Sequence, residues 1–487
     1  MRAKDGRLSA SPTDLASFLA CRHKTALDRL LAEGRLSPPH VVDPLADVLR
    51  QRGEDHERRY VDALRSQGLQ VVDLRDAAAG DRPVQTLEAM RAGADVIVQA
   101  ALTDATWLGY ADVLRKVTSP SPLLGAWSYE AQDTKLSRAT RGATILQLGV
   151  YTELVAGIQG RWPERFHVVT PFAAEAYRVD DFAAYYRQVR ARFLDFIGSG
   201  RLDDPPDPYP EPVEHCAVCR WSSRCRLRRR ADDHLSFVAT LGRQHQAELT
   251  SRGIATLAAL AALPLPLEFR PARGTRATYE RLREQARLQK AQRESGQPQF
   301  ELLPIEPAFG LTQLPEPSPG DLFLDLEGDP FGRPTVAARP GEGGREYLFG
   351  LGRVEADGSF AYTARWASTD AEEREAFDAV MSDVIAALDR DPSIHVYHYA
   401  PYEPAAFKRL MGRYAAREAD LDRLLRGRRF VDLYAIVRRG LRAGVESYSI
   451  KSLEPLYDFA REVALDEAGD QRRLVEVALE TADFAAV

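Results

Sequence analysis

The four cysteines of this 487-residue chain constrain its fold more than any other feature. Three of them, Cys216, Cys219 and Cys225, follow C-x2-C-x5-C spacing in a polar, arginine-rich stretch where core packing gives no reason for them. Three thiolates need a fourth ligand, and the remaining cysteine is Cys21. If all four meet, the first helix is clipped to the end of a loop of roughly 200 residues, and in the chain-entropy view so long a loop makes the clip valuable to the folded state. The N-terminal stretch has no apolar leader, so the cysteines read as metal ligands or reduced thiols rather than as disulfides.

The bracketed segment carries chemistry. Two apolar, β-prone runs, ADVIVQAAL and WLGYADVL, are joined by Thr103-Asp104-Ala105 and suit an antiparallel hairpin. WSYEAQD supplies a third strand, and a long helical pattern follows in which Gln147 and Tyr151 share one face. Asp112 lies near the end of one strand run and Asp133-Thr134-Lys135 ends the next. Paired carboxylates on adjacent strands can bind Mg²⁺ through oxygen while leaving positions for water and phosphate. A lysine two residues after the second acid lies on the same strand face, where it can stabilise charge developing on phosphorus. Glu130, in the same run, competes with Asp133 for the second position. Upstream, Arg52 to Glu57 is a charge run of the kind that usually faces solvent. His56 within it is either a surface histidine or a metal ligand facing the carboxylates.

Ser11-Pro12-Thr13-Asp14 marks a helix start. RFHVVTPF reads as a short strand, a helix follows from about Asp181 to Ile197, and Asp203 to Pro212 is a proline-rich loop. After Cys225, Arg226, Arg228, Arg229 and Arg230 form either a solvated helix face or a phosphate-contacting stripe. Residues 234–262 read as two short helices around Ser251 to Thr256, either a plain αα-hairpin or a helix-hairpin-helix-like module holding a phosphate. A basic helix follows, and then Gly296 to Gly320, a linker or the strand-and-loop start of another domain.

In the last segment, alternation puts Asp325 and Glu327 on one face of a strand. EYLFGLGRV and FAYTARWA are two further strands, and a helix runs from about Thr369 to Leu388. IHVYHYAPYEPAAFKRL is strand, turn and helix, and FVDLYAIVRRG places Asp432 at a helix start.

Taken in order, Asp112, Asp133-Thr134-Lys135, Gln147 and Tyr151 resemble the PD-(D/E)XK nuclease motifs of the RecB type, and Gly53-Glu54-Asp55-His56 resembles the upstream histidine motif of that group. CRISPR-associated RecB-like exonucleases show the same order. The resemblance implies that His56, Asp112 and Asp133 ligate Mg²⁺ or Mn²⁺, that Lys135 is catalytic, and that Gln147 and Tyr151 position DNA or the lysine. Cys21 with Cys216, Cys219 and Cys225 resembles the iron–sulfur staple of such nucleases and implies a [4Fe–4S] cluster, with structural Zn²⁺ as the alternative. The last segment resembles DEDD exonucleases of RNase H-like fold. Asp325 and Glu327 match the first motif, Glu403 stands where the second has aspartate, and Asp432 would supply a third-region acid; such sites hold two divalent cations. The final acid of those enzymes lies on a further helix, and the tail after Asp458 offers acids without a clear motif. The whole resembles bacterial RecB-like nuclease-helicases with the helicase lacking, since no G-x4-G-K-[S/T] sequence is present.

The expected fold is therefore α/β multidomain: a restriction-endonuclease-like core with the four-cysteine cluster over 1–231, a helical hairpin linker over 232–310, and an RNase H-like domain, shortened at its end, over 311–487. The expected function is a metal-dependent DNA nuclease, an exonuclease on single-stranded or processed ends, in repair, recombination or defence. Two alternatives stand beside it: a degenerate DNA-binding scaffold for a partner helicase, or activity residing in the RNase H-like domain. The net charge of −6 argues against a uniformly basic binder but allows local positive charge. The longest apolar stretch, Ala255 to Leu267, carries two prolines and is too short to span a bilayer, so a cytoplasmic protein without membrane partners is expected.

Overall fold

The computed structural model describes residues 1–4, 7–39, 44–137, 139–198, 207–329, 344–461 and 465–481. Part of the loop expected from Asp203 to Pro212, and part of the tail after Asp458, lie outside the described residues. The chain forms two compact units, Met1–Arg228 and Arg229–Val487.

The first unit opens with a small hairpin, β1 (Arg2–Lys4) and β2 (Arg7–Ser9), followed by α1 (Pro12–Ala20), α2 (Arg22–Ala32), α3 (Pro44–Ser66), β3 (Val71–Asp73) and α4 (Arg82–Ala92). Pro12 at the start of α1 and the Asp14 carboxylate, which accepts from the Ser11 N–H and hydroxyl, fix that helix start as the sequence predicts. Then come β4 (Val96–Thr103), β5 (Leu108–Val117), β6 (Ser128–Thr134), α5 (Gly142–Gln159), β7 (Arg165–Val169), β8 (Ala174–Arg178), α6 (Val179–Gly198) and α7 (Ser222–Ala231), the last of which runs across the unit boundary.

Strand order is β3-β4-β5-β6-β7-β8. The expected hairpin is the antiparallel pair β4–β5, β6 continues it antiparallel, and α5 crosses over so that β7 lies parallel to β6. One sheet face packs Ile97, Leu114, Ala131 and Val168 against α1, α4, α5 and α6. On the other, Val61 and Leu64 of α3 close over Val96, Val98 and Val113. Because both faces are covered, these strands read as near-continuous apolar runs, and the acids among them are conspicuous.

The second unit begins with helices: α8 (Arg243–Ser251), α9 (Leu257–Ala261) and α10 (Arg276–Ser295). α9 is a five-residue helix capped by Thr256, so the expected hairpin forms with its second arm very short. The stretch read as linker or strand-and-loop contains β9 (Phe300–Leu302), which is paired with a strand formed far later in the chain. Next are β10 (Leu322–Asp329), β11 (Arg345–Val354), β12 (Phe360–Trp366), α11 (Asp370–Arg390), β13 (Val396–His398), α12 (Tyr402–Tyr414), α13 (Glu418–Arg426), β14 (Phe430–Asp432), α14 (Leu433–Gly440), β15 (Leu441–Ala443), α15 (Ile450–Leu453) and α16 (Leu465–Thr481). β15 is the partner of β9.

The main sheet here has order β12-β11-β10-β13-β14. Its first three strands are antiparallel, and β10, β13 and β14 are parallel. Leu322, Leu324 and Leu326 alternate onto the face covered by α11, α12 and α13. Phe323 and Asp325 between them point to the other face and are exposed. Among the described residues no helix is long and apolar enough to cross a membrane.

Candidate active sites

In the first unit the Asp112 and Asp133 side chains meet at the ends of β5 and β6. The register Val113↔Gln132, carried one step further, sets Asp112 beside Asp133. The Thr134 N–H and hydroxyl both donate to Asp112 Oδ2, at 2.8 and 2.9 Å, and fix its rotamer. Asp133 is buried, and burial, with the Asp112 carboxylate beside it, pushes its pKa well above the usual carboxylate range. Lys135 answers this: its ammonium donates to Asp133 Oδ1 at 2.9 Å and lies 2.8 Å from Oδ2. Burial works against the lysine's charge, but Asp133, Asp112 and Glu57 outweigh it and hold the pKa above the normal lysine value.

Tyr151 donates to the Tyr110 carbonyl at 2.7 Å, and its phenol, desolvated and close to Asp112 and Asp133, stays neutral. Gln147, one turn earlier, instead donates to the Thr13 hydroxyl at 3.2 Å. His56 Nε2 lies 3.1 Å from the Val169 carbonyl, which can only accept, so that nitrogen carries the proton and Nδ1 is the one with a lone pair to offer. Glu130 is taken up elsewhere: it accepts from the Arg165 N–H at 3.0 Å and pairs with His167 at 2.8 Å.

Two residues here have no place in the sequence reading. Glu57, one residue past His56, is raised in pKa by burial and by Asp112, and both its oxygens accept from Gln99 Nε2 at 3.0 Å. Gln99 sits in mid-strand with φ of 53°, between the rungs Val98↔Val113 and Ala100↔Ala111. A polar residue inside ADVIVQAAL was the available signal.

None of the four cysteines is in a disulfide, and together they line one small cavity with Lys24, His215 and Trp221. Cys21 caps α2 and its sulfur accepts from the Lys24 N–H, while Cys216 Sγ accepts from the Val213 N–H, each at 3.4 Å. Burial raises the Cys219 thiol, with Cys21 and Cys216 adding to the shift. Asp28 ties the two chain segments that supply them: it accepts from Lys24 at 2.6 Å, Arg220 at 2.5 Å and the Trp221 indole at 2.8 Å. Four sulfurs gathered on one cavity, two of them oriented by backbone N–H groups, make a donor set of the kind that suits a soft metal. The arginines that follow do not form a free stripe. Arg228 pairs with Asp207, Arg229 is buried, and Arg230 pairs with Glu446.

In the second unit Asp325, Glu327 and Glu403 come together. Asp325 reaches solvent, yet partial desolvation against the sheet surface raises its pKa to about 6, with Glu327 and then Glu403 adding to the effect and Lys451 opposing it. Glu403, buried in the first turn of α12, has its Oε2 3.4 Å from His398 Nδ1, and that nitrogen donates to the Ala400 carbonyl at 2.6 Å. Asp432 caps α14: its Oδ1 accepts from the Ala435 N–H at 3.2 Å and the Ala400 N–H at 3.0 Å. Its charge acts on His398. The bulge after Glu327 turns Asp329 inward, and burial raises the pKa of Glu476 of α16, with Arg472 opposing and Asp329 and Glu327 adding to the effect. Glu476 belongs to the tail in which the sequence shows acids without a motif. Among the described residues no group of three or more His, Cys, Asp or Glu side chains is closed enough to hold a metal ion as it stands.

A model of the RNase H superfamily matches residues 322–470. The C-terminal part of the chain is therefore an RNase H-like domain, of a superfamily whose members are typically nucleases that act on nucleic acid with Mg²⁺ or Mn²⁺. No curated protein matches the chain.

Proposed function

We propose that the chain is a metal-dependent DNA nuclease with a RecB-like PD-(D/E)XK site in its first unit. One observation carries this reading: the buried Asp133 carboxylate stands beside the half-buried, like-charged Asp112, with the Lys135 ammonium held against it. Such a pair is costly without a cation. Oxygen donors suit a hard divalent ion, and the buried Asp133 Oδ2 has the Lys135 ammonium 2.8 Å away as its countercharge, a place a cation could share. Asp112 and Asp133 would hold Mg²⁺ or Mn²⁺, which when bound supplies Lewis-acid polarisation and an acidified water. Lys135 keeps its proton and presents positive charge to the phosphoryl oxygens as charge builds there. Thr134 orients Asp112, and Tyr151, bonded to the Tyr110 carbonyl, braces the strand that carries it. His56, its Nε2–H given to the Val169 carbonyl, would ligate through Nδ1. Gln147, which donates to the Thr13 hydroxyl, would help position DNA.

The four cysteines would hold a [4Fe–4S] cluster, with Zn²⁺ as the alternative. We assign the nuclease with its cluster to 1–231, the helical segment to 232–310 and the RNase H-like domain to 311–487, with exonucleolytic action on single-stranded or processed DNA ends and a helicase as a fitting partner. The test is cleavage of single-stranded DNA with Mn²⁺. Asp133→Ala and Lys135→Ala should each abolish it, and undiminished activity in both would overturn the reading.

A second reading places activity in the RNase H-like domain. The superfamily match and the meeting of Asp325, Glu327 and Glu403 favour it. Cleavage lost in Asp325→Ala and kept in Asp133→Ala would establish it.

A further inference from the structure

The face of the C-terminal sheet opposite α11, α12 and α13 carries a row of aromatic rings. Across three strands the rungs read Phe323–Gly352–Tyr362, Asp325–Gly350–Ala364 and Glu327–Leu348–Trp366, with Val354–Phe360 one step further on β11 and β12. Phe360, Tyr362 and Trp366 are 60, 54 and 58% exposed, unusual for rings of this size. Phe323 stacks on Tyr397 of the neighbouring strand at 5.6 Å and meets Phe360 at 6.0 Å.

Two glycines make this face flat. A Cβ on Gly350 would run into the Tyr362 hydroxyl, and one on Gly352 into the tip of the Phe360 ring. The Tyr362 and Phe360 rings therefore lie across β11 over bare backbone, while Trp366 stacks on Tyr347 at 6.2 Å, and all three keep a side open to solvent. The row is continuous with the acids: Phe323 stands two residues before Asp325 on the same strand face, and the Tyr362 phenol feels both Asp325 and Glu327.

We propose that this face is a stacking platform for the unpaired bases of a single-stranded nucleic acid, which leads its backbone toward Asp325, Glu327 and Glu403. Open aromatic faces accept any base, because every base has a π-face. A duplex hides its base faces, so the platform selects single strands. The inference rests on the superfamily match and on a nucleic acid as the substrate of this domain, and it holds whichever of the two sites does the cutting.

The experiment uses the full chain in EDTA, so that no cleavage occurs. Binding of a fluorescent oligo-dT of about 12 nucleotides, of oligo-rU of the same length, and of an abasic strand of equal charge is followed by anisotropy. Tyr362→Ala and Trp366→Ala should each weaken oligo-dT or oligo-rU binding by about tenfold, the usual size of one base–ring stack, and leave the abasic strand unaffected. Tyr362→Phe and Trp366→Phe should bind as the parent does, which separates stacking from misfolding. Photo-crosslinks from an iodouracil-substituted strand should map to Phe360, Tyr362 and Trp366. Equal affinity for abasic and base-bearing strands, or crosslinks that avoid β12, would overturn the proposal. So would Trp366 emission that follows protein concentration rather than oligonucleotide, since that marks the face as a contact between copies. None of these outcomes depends on Asp133, so failure here leaves the cleavage reading intact.

Discussion

The Lys135 ammonium lies 2.9 Å from Oδ1 of Asp133, two residues earlier on the same strand direction, and it is the only countercharge that reaches that buried carboxylate by hydrogen bond among the described residues. The pair is a compromise: the lysine reduces, without cancelling, the repulsion from Asp112.

The compromise has a pH signature. Asp133 is raised from the ordinary 3.8 to about 7 in the folded protein, so the native state binds more protons than the unfolded chain between those values. Stability of the metal-free protein should fall as pH rises through that window. Asp133→Asn removes the loss and should be more stable than the parent at pH above 7, by on the order of 1–3 kcal/mol, with the gap closing toward pH 4. Urea unfolding in EDTA at several pH values measures this. A parent protein that gains stability over the same rise would contradict it.

Asp28 titrates with the opposite sign. Burial raises its pKa, but Lys24, Arg220 and Trp221 together bring it below the usual value. Its contribution is present above the ordinary aspartate pKa and is lost as pH falls through the lowered one. Asp28→Ala takes the shared acceptor from three donors, of which Lys24 keeps the Ser17 hydroxyl, and should cost about 2–4 kcal/mol at neutral pH. Thermal unfolding reads the loss, and the metal content of the purified protein should drop with it, because Asp28 joins the segments carrying Cys21 and Cys219.

Anaerobically purified protein should contain iron and acid-labile sulfide; stoichiometric zinc in a colourless protein would replace the cluster by its alternative. Cys21→Ser should release the metal in either case. The melting temperature should fall by roughly 5–10 °C, the scale expected when a cross-link across so long a loop is removed.

Glu130→Gln should leave cleavage within about threefold of the parent while costing roughly 1 kcal/mol, since it weakens only the bonds to Arg165 and His167. A loss of activity equal to that of Asp133→Ala would reverse the roles of the two acids.

In the second unit, Asp325 near 6 means that Mn²⁺ must displace a proton there at mildly acidic pH. Affinity for that unit should rise up to about tenfold per pH unit between 5 and 6 and level off above 7. Titration calorimetry of an Asp133→Ala variant in two buffers measures the proton released, and a pH-independent affinity would contradict the grouping of Asp325 with Glu327 and Glu403.

The strands and helices around both sites are readable from local pattern, because covered strands are apolar runs and α5 follows from the spacing of Gln147 and Tyr151. What local pattern withholds is partnership. Glu130 and Asp133 are three residues apart and so point to opposite faces, but only β7, some thirty residues on, shows which face Arg165 and His167 occupy. Glu57 reads as one more charge on a solvated helix until Gln99 is seen to reach it. The arginines after Cys225 read equally as a solvated face or a phosphate stripe because the partners of Arg228 and Arg230, Asp207 and Glu446, are distant in sequence. β9 looks like linker because β15 is formed about 140 residues later. Glu476 has no motif around it, and only the bulge at Glu327 brings Asp329 against it.

Gln99 adopts a left-handed backbone that most side chains avoid, in the middle of a strand, and a conformation of this kind costs about 1–3 kcal/mol. A glycine there would relieve the backbone and abandon Glu57; a β-branched residue would restore the ladder and push the strand flat. Selection for thermal robustness alone would therefore erode this position first. Sequences drifting under such selection should lose the glutamine before they lose the fold, leaving molecules that are hardier and chemically idle.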